Sequence, residues 1–341
     1  MLLLEDVQLH EEIINWFASH ARDLPWRDPD CSAWGVLVSE VMLQQTPVTR
    51  VLPVWKDWLL RWPDPAALAQ SPSGEAVRAW GRLGYPRRAL RLHAAAALMA
   101  LEHDGEVPGS YNELLSLPGV GSYTAAAVAA FAFGRRETVV DTNIRRVHAR
   151  LIAGTALPAP ALNAAEIRLA EQLLPAEPGQ SVRWNAAVME LGALICTARS
   201  PKCGQCPVRE KCAWLAAGGP APTYQPKGQA WAGTDRQVRG AVMAVLRAAG
   251  PGLQRGLLFS PAAALSAAPA PDPAQAHDSG ASGSRAVEAS GLTPTEPPVA
   301  TELARLYRLN AEESQLERVI TGLLRDGLAQ ATGGGGIALP A

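Results

Sequence analysis

Four cysteines packed into 17 residues restrict this chain more than any other feature of its sequence. Cys196, Cys203, Cys206 and Cys212 follow the spacing C-x6-C-x2-C-x5-C and make up four of only 5 cysteines in 341 residues. Thiolates are soft ligands, so such a cluster serves zinc or an iron–sulfur centre. A structural zinc site usually pairs two C-x2-C knuckles. Only one is present here, and the asymmetric gaps suit a loop wrapped around a larger cubane. Cys31 lies far away in sequence and reads as a bystander, although a fold could bring it close.

The charge total is uninformative: 31 Lys+Arg against 32 Asp+Glu leave a net charge of −1. The total averages opposites. Residues 1–50 hold 3 bases and 8 acids, whereas residues 199–247 hold 8 bases and 2 acids. A basic segment is the usual footprint of a polyanion, and Arg199, Lys202, Arg209 and Lys211 lie between and beside the cysteines. Only four of the bases are lysines: Lys56, Lys202, Lys211 and Lys227. A hydrophobic content of 48% supports buried cores, and no apolar run reaches the ~18 residues of a membrane span. The start, MLLLEDVQLHEE, turns acidic at once, which argues against a secretory leader and for a reducing cytoplasm.

Apolar spacing predicts helices over 9–22, 33–44, 73–80 and 87–103, with another starting at Thr46-Pro47. No strand or hairpin is expected before residue 215, so the body is all-α. In LLSLPGVGSYTAAAVAAFA an apolar helix end runs through Pro-Gly-Val-Gly into a second helix. Gly119 and Gly121 let backbone approach a phosphate at the following helix N-terminus, or form an ordinary corner between helices. Asp141, ahead of TNIRRVHARL, stands where a helix N-cap belongs. Residues 261–300 hold 27 Ala, Pro, Gly or Ser out of 40 and read as a disordered insertion. Around it, residues 236–249, the helix–turn–helix pattern of 300–330 and a short β wing at ATGGGGIALP suggest a winged-helix-like module or a small helical bundle.

Three motifs occur in an order that resembles the endonuclease III and MutY family of DNA glycosylases: LPGVGSYTAAAV, VVDTNIRRVHAR and the cysteine loop. The resemblance covers roughly residues 9–217. It implies two α-helical lobes with DNA bound across the cleft, a helix-hairpin-helix at Gly119 and Gly121, and a [4Fe–4S] cluster on Cys196, Cys203, Cys206 and Cys212. The six-helix lobe is expected at about 25–135 and the iron–sulfur lobe at 1–24 with 136–217. Residues 1–228 then form the glycosylase domain and 229–341 the C-terminal module.

Within the family, VSEVMLQQT at 38–46, LPWR at 24–27 and LGALICTARSPKCGQCP at 191–207 resemble the adenine-specific MutY branch. That resemblance makes Glu40 the acid that protonates the departing adenine. Burial in an apolar helix would raise its pKa and keep the proton available, although a lone Glu there is equally a structural carboxylate. Asp141, ionised at a helix N-terminus, would stabilise the sugar cation. Tyr123 and Asn143 would support the site around the sugar. Tyr123 stands where the endonuclease III branch has its Schiff-base lysine, and no lysine occurs between 57 and 201, so a lyase step through that amine is unavailable. Trp26 and Arg27 would read adenine. Gln45, Leu83 and Tyr85 would plug the stack once the base is flipped out, with Arg78, Arg82, Arg87, Arg88 and Arg91 on phosphates or on a solvated helix face.

Two positions depart from the branch: Pro86 replaces a second tyrosine after LGY, and Ala186 stands where a Glu or Gln usually helps to read adenine. No alternating strand run for a Nudix-like domain follows residue 228. The expected function is a monofunctional adenine DNA glycosylase of base excision repair. It would act as a monomer, with no membrane partner, on duplex DNA carrying adenine opposite 8-oxoguanine or guanine, in a nucleoid-associated cytoplasmic setting. The competing expectations are a thymine or uracil mismatch glycosylase and a non-catalytic iron–sulfur DNA-binding protein.

Overall fold

Side-chain caps start many of the helices. Ser32, Asp64, Ser110, Asp141 and Asn163 each accept a backbone N–H from the first turn that follows, satisfying donors that a helix start leaves open. The computed structural model describes residues 4–225, 228, 230–250, 252–260 and 298–341. Up to residue 217 the described residues are helical, with no strand: α1 (Leu4–His20), α2 (Ala33–Leu43), α3 (Val48–Arg61), α4 (Pro65–Ala69), α5 (Ser73–Ala79), α6 (Arg87–Glu102), α7 (Tyr111–Ser116), α8 (Ser122–Phe133), α9 (Thr142–Leu151), α10 (Ala164–Leu173), α11 (Pro178–Leu194) and α12 (Ala213–Ala216). The all-α expectation holds. Two details differ from the sequence reading. Pro47 is the N-cap of α3 rather than its first residue. Sequence periodicity also assigned nothing to 153–190, where α10 and α11 lie.

The chain divides into two compact units, residues 1–71 with 91–228, and residues 72–90 with 229–341. The sequence reading assigns 72–90 to the glycosylase domain; by their contacts these residues group with 229–341 instead.

In the first unit one core gathers Leu9, Ile13 and Trp16 of α1, Ala126, Ala127 and Ala130 of α8, Ile144, Val147 and Leu151 of α9, and Trp184, Val188 and Leu191 of α11. Removing so much apolar area from water is the dominant stabilising term, ~25 cal/mol per Å². The helix α2 is buried from Trp34 through Met42. Trp34 Nε1 donates to Trp62 O (3.0 Å) and Trp55 Nε1 to Gly35 O (2.8 Å), so the large indoles pack without stranding their N–H groups. Among the described residues no helix is long and apolar enough to cross a membrane.

The second unit holds α5, the turn after it, α13 (Asp235–Ala248), β1 (Leu253–Gln254), α14 (Val299–Tyr307), α15 (Glu313–Arg325), β2 (Gln330–Thr332) and β3 (Gly336–Ala338). Its strands pair antiparallel in the order β1-β3-β2, with Ile337 opposite both Leu253 and Ala331. Helix, strand, two helices and a two-stranded wing is the winged-helix order. Val242, Val245, Leu306, Ile320, Leu323 and Ile337 fill its core. The insertion expected at about 261–300 lies outside the described residues, apart from 298–300, where α14 already begins.

Candidate active site

The helix α2 is so apolar and so covered that any carboxyl on it is taken out of water. Glu40 is that carboxyl, 6% exposed. Burial lifts its pKa from 4.5 to about 7. The hydrogen bond from Tyr123 and the charge of Arg27 pull it back, while the nearby charge of Asp141 adds to the rise. Tyr123, in the first turn of α8, donates its hydroxyl to Glu40 Oε2 at 2.8 Å. Burial and the two carboxylates push that phenol well above its usual pKa, so it remains a neutral donor.

Asp141 arrives on the extended stretch ahead of α9 and caps that helix. Its Oδ1 accepts the Ile144 N–H (2.6 Å) and its Oδ2 accepts from Asn143 Nδ2 (2.7 Å). Burial raises its pKa, and these hydrogen bonds with the charge of Arg146 oppose the rise. The donors and the helix N-terminus favour the anion and hold back what remains a net upward shift.

Glu40, Tyr123, Asp141 and Asn143 therefore line one cleft of about 1220 Å³, together with Trp26, Arg27, Gln45, Gly119, Gly121 and Ala186. Gly119 needs to be glycine twice over: its φ is +82, and a Cβ there would stand 2.6 Å from Arg91 Cβ. At Gly121, the N-cap of α8, a Cβ would meet nothing and no side chain caps the helix, an end suited to an approaching anion. Arg27 is fixed by Glu190, whose carboxylate also takes the Arg22 guanidinium and the Arg22 N–H. These partners hold Glu190 down at about 2 in spite of its burial.

Three site residues were missed in the sequence. Glu190 is one. The others are Arg146 and Arg150, four residues apart on α9. Arg146 joins Asn143 Oδ1 (2.8 Å), Gly192 O (2.7 Å) and Cys196 O (2.6 Å). Arg150 reaches Cys196 Sγ (3.4 Å), Thr197 O and Ala198 O. One helix thus ties the Asp141 carboxylate to the cysteine loop. The only sequence signal was their i, i+4 spacing beside an apolar stripe.

The four clustered thiols are free, and three of them, Cys196, Cys206 and Cys212, pack on the hydrophobic core. Cys206 lies within electrostatic reach of Cys196, Cys203 and Cys212, and burial pushes its thiol up to about 11. Four mutually close, partly buried thiols with Arg150 on one sulfur make a donor set that binding iron would deprotonate, and they fit an iron–sulfur cluster. Among the described residues no three His, Cys, Asp or Glu side chains are placed to hold one metal ion.

The three stack-plugging residues do not behave alike. Gln45 is exposed with φ +55, and Tyr85 is 55% exposed with φ +48. Leu83 is 4% exposed, buried where the other two are open. Three of the five arginines expected on phosphates are engaged within the second unit: Arg78 donates to Ala249 O, Arg82 pairs with Glu302 and Arg87 with Asp326.

Known proteins resemble the chain over two segments. Residues 38–170 match the model of the HhH-GPD superfamily base excision DNA repair protein, and 196–212 match the iron-sulfur binding domain of endonuclease III. An adenine DNA glycosylase of Mycolicibacterium smegmatis is 52% identical over 236 residues, 69% of this chain and 79% of that protein. The human adenine DNA glycosylase is 42% identical over 59% of this chain and 38% of its own length. Among solved structures, a thermostable thymine-DNA glycosylase superimposes with a TM-score of 0.56 at 28% identity, covering 62% of this chain and 97% of its own. A non-covalent endonuclease III–DNA complex gives 0.54 at 23% identity, covering 64% of this chain and 99% of its own, a likeness of fold.

Proposed function

This chain belongs to the adenine DNA glycosylase family, and from that premise we propose that it excises adenine from duplex DNA by hydrolysing the N-glycosidic bond, its targets being adenines opposite 8-oxoguanine or guanine. The observation that carries the reading is the unequal pair of carboxyls in one cleft: Glu40, buried in α2 and lifted to about 7, and Asp141, whose upward shift is opposed by the Ile144 N–H and the Asn143 amide on its two oxygens. Environments that separate two carboxyls assign acid and anion.

Glu40, protonated near neutral pH, gives its proton to a ring nitrogen of the flipped adenine. The C1′–N9 bond breaks, and its electron pair leaves with the base. Positive charge grows on the deoxyribose, and the Asp141 carboxylate, held by Asn143 and the Ile144 N–H, faces it. Water adds at C1′, its proton returns to a carboxylate, and free adenine and an abasic site remain. Tyr123 keeps the Glu40 carboxyl aimed by donating to its other oxygen. No lysine stands between 57 and 201, so a lyase step through an amine at the Tyr123 position is unavailable and the proposed reaction is hydrolysis alone.

Adenine recognition rests on Trp26 and on Arg27 anchored by Glu190. Ala186 offers the cleft no hydrogen-bonding side chain. Cys196, Cys203, Cys206 and Cys212 hold the [4Fe–4S] cluster, which shapes the loop carrying Arg199, Lys202, Arg209 and Lys211 for the DNA backbone.

The test is base release from duplexes carrying A:8-oxoguanine, A:G, T:G and U:G pairs. Adenine is the expected product from the first two. Release of thymine or uracil without adenine would overturn the reading in favour of the mismatch alternative, since a thymine-DNA glycosylase shares the fold.

A further inference from the structure

The second unit has the winged-helix order, yet its helix pair lacks the charge of a DNA reader. The helix α15 carries Glu313 and Glu317 against Arg318 and Arg325, with Asp326 next. Glu317 pairs with Arg255 and Arg318 with Asp235. What this unit grips instead is the segment 72–90. Gly74 N donates to Pro340 O (2.9 Å), Arg247 Nε to Val77 O (3.1 Å), and both terminal nitrogens of Arg78 to Ala249 O (3.2 Å). Arg82 pairs with Glu302 (3.1 Å), and Arg87 with Asp326, which Arg239 also holds.

Between Arg82 and Arg87 the chain makes a turn of left-handed residues, Gly84 at φ +85 and Tyr85 at φ +48. A non-glycine residue there costs energy and persists only where its surroundings enforce it. The enforcement is visible. Trp80 Nε1 (3.0 Å) and Arg88 Nη2 (3.1 Å) both donate to Gly84 O, and the Arg88 guanidinium lies 5.4 Å from the Tyr85 ring. The outcome is an aromatic ring left 55% exposed on a braced turn. Glu302, by contrast, is buried, with 4% of its side chain exposed, and its carboxylate takes Arg82 and Arg305. A buried carboxylate shared by two arginines favours one placement of each, because a partner that moves away gives up part of its compensation.

We propose that Glu302 is a positioning residue for DNA binding: through Arg82 it locks the Arg82–Pro86 turn, so that Tyr85 is presented as a preset stacking surface for a base or sugar of bound duplex. The C-terminal unit is then a brace for this turn rather than a second reader. The inference rests on the proposed action on DNA.

The experiment uses the full-length, cluster-loaded chain and a duplex with a non-hydrolysable adenine analogue opposite 8-oxoguanine. Tyr85→Ala weakens binding about tenfold, the scale of one lost stack. Glu302→Gln weakens it similarly, and the double variant is no worse than either single within about twofold, since both act on one element. Amide hydrogen exchange over 82–86 speeds up in Glu302→Gln. If Glu302→Gln does not fold, Arg247→Gln, which loosens the same segment at Val77, enters the cycle in its place. Additive losses, unchanged binding or unchanged exchange at 82–86 would each overturn the proposal. Adenine release by the wild-type chain is measured alongside. If it is absent, the functional reading fails; if it is present while the cycle is additive, only this inference fails.

Discussion

At the scale of single residues, the site is governed by what burial does to one carboxyl. Glu40 sits at about 7 in the folded chain against 4.5 outside it. A raised carboxyl stabilises the fold fully below the lower value, and that contribution is lost as the pH rises through the upper one. Glu40→Gln carries no such loss. It should therefore gain on the wild type between about pH 5 and about pH 8, by on the order of 3 kcal/mol in denaturant unfolding. An equal difference at both pH values would contradict the burial account. The same variant should lose adenine release by about 10²–10⁴-fold while keeping mismatch binding. Glu40 and Asp141 were legible in sequence because each sits in a local motif. The Tyr123 hydroxyl on Glu40 and the two arginines on Glu190 were not. The first pair is 83 residues apart and the Arg22–Glu190 pair 168 apart, and no local pattern announces either.

At the scale of elements, α9 has two tasks. Its N-terminus holds Asp141, and its buried arginines hold the cysteine loop. The helix α11 approaches it so closely that a Cβ at Gly192 would lie 2.6 Å from Asn143 Cβ and 2.9 Å from Asn143 O. Gly192→Ala should cost about 1–3 kcal/mol of stability by overpacking. It should also slow single-turnover adenine release by displacing the Asn143 amide from Asp141. A slower rate with unchanged mismatch affinity in a binding assay is the expected signature. Arg146→Ala strips donors from Asn143 Oδ1, Gly192 O and Cys196 O at once, and unsatisfied buried acceptors cost about 1–3 kcal/mol each. Loss of the cluster's visible absorbance on mild heating, at a lower temperature than in the wild type, checks that link. Sequence periodicity found α1, α2 and α6 because their apolar stripes are long. It missed α10, whose buried face amounts to Ala170 and Leu173.

At the scale of the whole molecule, the cysteine spacing and the motif order fixed the family, but the domain boundary did not follow from composition. A low-complexity run near residue 261 marks where the C-terminal part is interrupted, not which distant segment it grips. That choice is made by Arg78, Arg82 and Arg87, whose partners lie more than 150 residues away. Replacing Cys203 by Ser should abolish the visible iron–sulfur absorbance and lower the melting temperature of residues 1–228. Retention of a full complement of zinc in place of iron would contradict the cluster assignment. The central claim, that a buried Glu40 supplies the proton that releases adenine, is tested most directly by the pH dependence of single-turnover release with enzyme in excess. The rate should be level below about pH 7 and fall about tenfold per unit above it, as the acid loses its proton. A rate that stays flat from about pH 6 to about pH 9, or that rises, would remove Glu40 from that role.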